Sequence, residues 1–159
     1  MIERRQKWTK GAVVSISLGN GYSGFGQMLD EPEYAFFDLR HKPNATLPTP
    51  EQVVAERVLF RVWVMRRAHS KGRWLKTGIA PIVSELAKKV LRFNQDPLKP
   101  DSFLLSYDGV SGTPCTANEC KQFERATVWD PEHVEDRLRD YFAGRPNKWV
   151  ESLRVRPTA

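Results

Sequence analysis

Apolar and polar positions alternate most cleanly over residues 12–18, where Val14, Ile16 and Leu18 fall on one side and Ser15 and Ser17 on the other. A two-residue period predicts a half-buried strand. The following Gly19-Asn20-Gly21 run, continuing to Gly24, is tight-turn chemistry, with Asn20-Gly21 suited to a hairpin whose turn needs positive φ. A return strand is predicted over 25–29, a turn at Asp30-Glu31-Pro32-Glu33, and a third strand over 34–39. Three sequential strands joined by short turns predict an antiparallel meander, curled like a small barrel.

Two prolines mark a loop over 41–48, and Thr49-Pro50-Glu51 has the cap, proline and acid order of a helix start. That helix must be short, because 58–65 is the strongest strand pattern in the chain. Both of its faces are largely apolar, which places it centrally. Residues 66–73 read as a polar connection. A helix is predicted over 81–91 with Ile82, Leu86 and Val90 inward and Val83 beside them, then a strand over 103–107 and a turn at Asp108-Gly109. Thr116 and Glu119 match a capping box and predict a helix to Arg125. Asp130-Pro131-Glu132 opens the clearest helix, with a stripe of Val134, Leu138, Tyr141 and Phe142 and Gly144 at the C-cap position. Strands dominate the front and helices the back. The expected fold is therefore α+β, with an antiparallel, curved or barrel-like sheet from the N-terminal half and helices from the C-terminal half. No internal repeat or low-complexity linker interrupts it, so residues 1–159 are expected to form a single domain.

Composition supports a folded chain: of 159 residues, 40% are hydrophobic and 28% charged, a globular balance. No apolar stretch approaches the ~18 residues of a membrane span. The charged start lacks a following apolar segment, so no secretory signal is expected and the expected compartment is the cytoplasm. The net charge of +6 lies at the ends. Residues 1–10 and 144–159 each hold four basic residues and one acid, whereas 11–143 hold 17 of each sign. A neutral middle does not suit a nucleic-acid groove, so no nucleic-acid partner is expected.

Candidate chemistry is sparse. Gly19-x-Gly21-x-x-Gly24 has the letters of a nucleotide loop, but a strand rather than a helix follows it, which leaves a glycine-rich hairpin. His41, His69 and His133 are isolated, no nucleophile motif is present, and no cofactor or metal is expected. Cys115 and Cys120 are five positions apart. At about 100° of rotation per helical residue they should point to different faces as ordinary buried or half-buried thiols. Arg66, Arg67, Lys71, Arg73 and Trp74 offer either a phosphate-and-base grip or a solvated loop with its tryptophan in the core. Runs of charge favour the latter.

Several blocks in order carry a resemblance. They are Gly19-Asn20-Gly21-Tyr22-Ser23-Gly24-Phe25-Gly26-Gln27 with Tyr34-Ala35-Phe36-Phe37-Asp38-Leu39, then Val58-Leu59-Phe60-Arg61-Val62-Trp63-Val64-Met65 with Gly72-Arg73-Trp74. Phe93-Asn94-Gln95-Asp96-Pro97 and the run from Val128 to Arg137 complete the set. Together, over about residues 10–153, the chain resembles the bacterial polymorphic-toxin immunity proteins of immunity protein family 26. The resemblance implies a cytoplasmic protein that binds and neutralises a cognate toxin domain, and so a complementary surface rather than a reactive site. By residue type the contact candidates are Tyr22, Trp74, Arg145 and Trp149, with Glu132, Glu135, Asp136 and Asp140 as an acidic patch that would face a basic toxin. The same sequences are similar to a small coroxon-hydrolysing organophosphate hydrolase. That is the alternative reading, and it would need a clustered ligand set to activate water.

Overall fold

The computed structural model describes residues 5–157, so the basic lead and the basic tail each run partly outside the described residues. The chain forms two compact units. One comprises the residues up to Ala87 together with Val128–Arg145, the other Lys88–Thr127 together with the residues from Pro146 onward.

The first unit is built on a six-stranded sheet. Its strands are β1 (Ala12–Gly19), β2 (Tyr22–Met28), β3 (Glu33–Phe37), β4 (Val58–Val64), β5 (Leu75–Ile79) and, late in the chain, β9 (Val128–Trp129), in the order β5-β1-β2-β3-β4-β9. All neighbours are antiparallel except β4 and β9. The sheet is open, with β5 and β9 as its edges, and it does not close into the barrel-like form the hairpin spacing suggested. At the β1–β2 turn Asn20 and Gly21 hold φ of 54° and 81°, the left-handed pair a tight hairpin requires.

The sheet is covered on both faces. One face carries Val13, Phe25, Ala35 and Phe37, closed by Leu86, Ala80 and Val53 of α1 (Pro50–Val54). For that reason β1 is buried more fully than its alternation predicts: Val13 sits as deep as Val14. On the other face Gly24 leaves room for Leu138 of α5 (Pro131–Phe142), 3.3 Å from where a Cβ would stand. Tyr34, Phe36, Phe60 and Trp74 stack edge-to-face and face-to-face beside it. Buried Gln27 ties the strand ends together, its Nε2 donating to the Gly11 and Ala80 carbonyls at 3.1 and 2.9 Å. The strand at 58–65 is interior, as expected, but second from the edge. The connection at 66–73 contains a short helix, α2 (Arg67–Ser70), that buries Ala68 and His69. The helix expected over 81–91 contracts to one turn, α3 (Ser84–Ala87). Of its apolar stripe only Leu86 is buried, and a short helix without a packed face does not persist.

The second unit holds a three-stranded antiparallel sheet of β6 (Arg92–Gln95), β7 (Phe103–Ser106) and β8 (Gly112–Cys115). Pro114 sits in β8, an edge strand that can spare the N–H. The capping box at Thr116 and Glu119 forms as predicted, yet α4 ends after Ala117–Cys120. Phe93 takes over the backbone that follows, donating to the Glu124 carbonyl at 3.1 Å and accepting from Ala126 at 2.8 Å. Pairing of this kind overrides local helix propensity. The core is Phe93, Phe103 and Cys120, with Leu105, Cys115, Phe123 and Val155 against them. α6 (Lys148–Ser152) is capped by the Asn147 side chain, and Arg125 donates to the Leu153 and Arg154 carbonyls at 3.0 and 2.9 Å.

Candidate partner-binding surface

Two groupings of charged and aromatic side chains stand out in the first unit. The inner one joins α5 to the chain leading into β5. Glu135, on the buried stripe of α5, is only 5% exposed. Its two carboxylate oxygens accept from Arg73 Nε and Nη2 at 2.7 Å each, and Oε2 also accepts from Trp74 Nε1 at 2.9 Å. One turn earlier Glu132 is gripped by Arg67 at 2.6 Å and reached by Arg73 at 3.6 Å. The Arg67 hydrogen bond holds the Glu132 carboxyl down at about 2. A planar guanidinium fork on a carboxylate is geometrically specific as well as strong.

The outer grouping surrounds Arg40. Its guanidinium lies 4.5 Å from the Tyr22 ring at the start of β2 and 5.9 Å from the Phe142 ring at the end of α5. Phe142 meets Tyr141 edge-on, with ring centroids 5.3 Å apart. The Tyr141 hydroxyl accepts from Arg57 at 2.8 Å, and Arg57 also pairs with Asp38 at 3.2 Å. Arg145, just beyond α5, pairs with Asp140 at 3.2 Å. Arg40, Arg145 and Tyr141 are exposed, and Tyr22 and Phe142 half-buried. Arg40 has no carboxylate partner among the described residues. Solvent-facing tyrosine and arginine are the residue types that anchor protein interfaces. The positions come from four places in the sequence: the β1–β2 hairpin, the segment after β3, the approach to β4, and the end of α5.

Measured against the sequence-based candidates, Tyr22 and Arg145 fall on this outer surface. Trp74 does not: it is fully buried, with its indole N–H consumed by Glu135, so it cannot serve as an exposed contact. The 66–74 segment keeps its tryptophan in the core, as expected of a loop rather than a phosphate grip, but Arg67 and Arg73 are committed to α5 instead of to solvent. Glu135 is likewise buried, and the acidic patch is met by internal bases: Glu132 by Arg67, Asp136 by Arg139 at 2.6 Å, Asp140 by Arg145. Trp149, half-buried on α6 in the second unit, has Lys148 Nζ 4.5 Å from its ring. Sequence reasoning missed Arg40, Arg57 and Tyr141 as surface residues. Tyr141, expected on the inward stripe of α5, is exposed, and nothing local announces that Arg40 stacks on Tyr22. Among the described residues no group of three or more His, Cys, Asp or Glu could hold a metal ion, and no helix is long and apolar enough to cross a membrane.

The model of one protein family, described as Immunity protein 26, matches residues 9–104, from just before β1 into β7. No curated protein and no solved structure matches the chain. The likeness to an organophosphate hydrolase finds no support among these comparisons.

Proposed function

We propose, on the premise that this chain belongs to the Immunity protein 26 family, that it acts in the cytoplasm by binding a cognate polymorphic-toxin domain and blocking it, with the surface around Arg40 as the contact face. The family match carries the first part of this reading. For the second, the support is physical: an inhibitor needs a preorganised patch with a few anchors that lose water on binding. Arg40 is held in place by two aromatic rings while its donors remain in solvent. No carboxylate among the described residues compensates its charge, so the matching toxin face is expected to carry one there.

The test pairs this protein with the toxin domain encoded beside it. Co-expression should protect cells, and the purified proteins should form a stoichiometric complex. Arg40→Glu should weaken that complex by 10-fold or more, roughly the cost of truncating one interface anchor, while leaving the unfolding midpoint near that of the parent. Protection that survives Arg40→Glu and Tyr141→Ala intact would move the contact face elsewhere. No complex with the neighbouring toxin would overturn the reading itself.

A further inference from the structure

The thiols of Cys115 and Cys120, expected to diverge, meet: their sulfurs are 2.9 Å apart. The reason is local. Cys115 is not part of the helix but the last residue of β8, and Thr116 is the extended N-cap, with φ of −89° and ψ of 158°. Its side chain accepts from the Glu119 N–H at 3.2 Å while the Glu119 carboxylate accepts from the Thr116 N–H at 3.0 Å. This reciprocal box turns the chain sharply, and one helical turn later Cys120 comes back over the strand end. Helical rotation does not separate the two thiols, because Cys115 lies outside the helix.

The two sulfurs differ in access. Cys120 is fully buried in the core of the second unit, and burial, followed by the contact with Cys115, pushes its thiol up to about 12. Cys115 is half-buried and lines a shallow open depression with Lys99, Asp101, Ser102, Phe103 and Pro114. Cys115 is therefore the more accessible of the two, bordering the depression with its partner held directly behind it. That is the arrangement of an attacking and a resolving cysteine.

We propose that Cys115 and Cys120 form an oxidisable dithiol that closes to an intramolecular disulfide by exchange with a low-molecular-weight disulfide such as glutathione disulfide. In the first step the Cys115 thiolate attacks one sulfur of the small disulfide. A protein–glutathione bond forms, the glutathione S–S bond breaks, and one glutathione leaves as thiolate and takes up the proton Cys115 gave. In the second step the Cys120 sulfur attacks Cys115 Sγ. The Cys115–Cys120 bond forms, the mixed bond breaks, and the second glutathione leaves carrying the Cys120 proton. The protein loses two electrons and two protons, and one glutathione disulfide becomes two glutathione thiols. The cross-link spans only residues 115–120, tying β8 to α4 where the capping box already holds them, so closure asks for little movement.

The full chain, fully reduced and then equilibrated with glutathione disulfide, should lose both reactive thiols and the mass of two hydrogens, with no glutathione retained. Amides of β8 and α4 should become roughly tenfold or more better protected from hydrogen exchange, since a short loop has been closed. Cys120→Ser should arrest the reaction as a stable glutathione adduct at Cys115. Cys115→Ser should leave Cys120 unreactive in the folded protein. Wild-type protein that keeps two free thiols, or that stops at the mixed disulfide, overturns the proposal without recourse to either variant.

Discussion

Glu135 is the residue whose replacement most directly tests how α5 is held. Glu135→Leu keeps the volume on the buried stripe but strips the acceptor from Arg73 and from the Trp74 indole N–H, whose hydrogen bonds are 2.7, 2.7 and 2.9 Å long. Removing one partner of a fully buried ion pair costs about 3–5 kcal/mol. Here the Arg73 side chain is 43% exposed and can return to water, so its share shrinks. What remains is a buried indole donor without an acceptor, worth about 1–3 kcal/mol, together with the lost charge-assisted bonds. The expected total is about 2–3 kcal/mol. Glu135→Gln keeps one side-chain oxygen, enough for Trp74 and Arg73 Nε, but loses the charge and turns the acceptor of Arg73 Nη2 into a donor, for about 1–2 kcal/mol. Arg73→Met combined with Glu135→Leu should cost less than the sum of the two single changes, because replacing both partners leaves no stranded charge.

Urea unfolding followed by far-ultraviolet circular dichroism reads the parent and the four variants, Arg73→Met alone included, without depending on the Trp74 environment. The m-value should be unchanged, so that midpoint shifts report stability directly. Leu and Gln variants that both fall within about 0.5 kcal/mol of the parent, the range of an ordinary surface change, would mean that these bonds do not hold α5. A Gln variant as damaging as Leu would mean that the Trp74 bond contributes nothing.

Other consequences of the structure can be checked alongside. His69 is buried beside Trp8, with ring centroids 5.2 Å apart, and burial lowers its pKa below 6.5. The unfolded chain therefore takes up a proton that the folded one resists. Stability should fall as pH drops below about 6.5, and His69→Gln should flatten that slope in a pH series of unfolding midpoints. Glu132, held at about 2 against an ordinary 4.5, contributes above 4.5 and should lose its contribution progressively toward pH 2. Glu132→Gln should remove that acid-range slope and leave the one set by His69 untouched. Gly26→Ala would place a Cβ 3.1 Å from the Phe36 ring and 3.2 Å from the Ala35 carbonyl. Overpacking of this kind should cost about 1–3 kcal/mol by thermal or chemical unfolding.

The sequence displayed those elements whose signals are local. The β1–β2 hairpin follows from alternation and Asn20-Gly21, α1 and α4 begin at their capping boxes, and α5 runs from Asp130 to its glycine. Hidden elements are those created by partners far along the chain. β5 reads Leu75-Lys76-Thr77-Gly78-Ile79, with no alternation of its own, and exists because it pairs with β1 sixty residues earlier. β9 is two residues long and becomes a strand only beside β4. The candidate surface was half legible for the same reason. Tyr22 and Arg145 could be picked by type, but Arg40 becomes an anchor only when the hairpin and α5 bring Tyr22 and Phe142 to it. Trp74, chosen by the same rule, was lost because residue type does not reveal which tryptophan finds a buried carboxylate.

The acidic run on α5 illustrates how charge counted along a chain misleads about charge offered to a partner. Glu132 and Glu135 look toward Arg67 and Arg73, Asp136 toward Arg139, and Asp140 toward Arg145. These carboxylates are already paired within the fold, so reversing Glu132 should lower stability far more than it alters encounter with a toxin. Arg40 should behave in the opposite way, because no carboxylate among the described residues pairs with it and its stacked geometry persists without a partner. Stopped-flow association at low and moderate salt separates the two. Arg40→Glu should slow the on-rate, most strongly at low ionic strength, whereas Glu132→Lys, measured where it remains folded, should leave the on-rate within about twofold of the parent. The reverse ranking would mean that the acidic helix, not the Arg40 face, guides the toxin to its site.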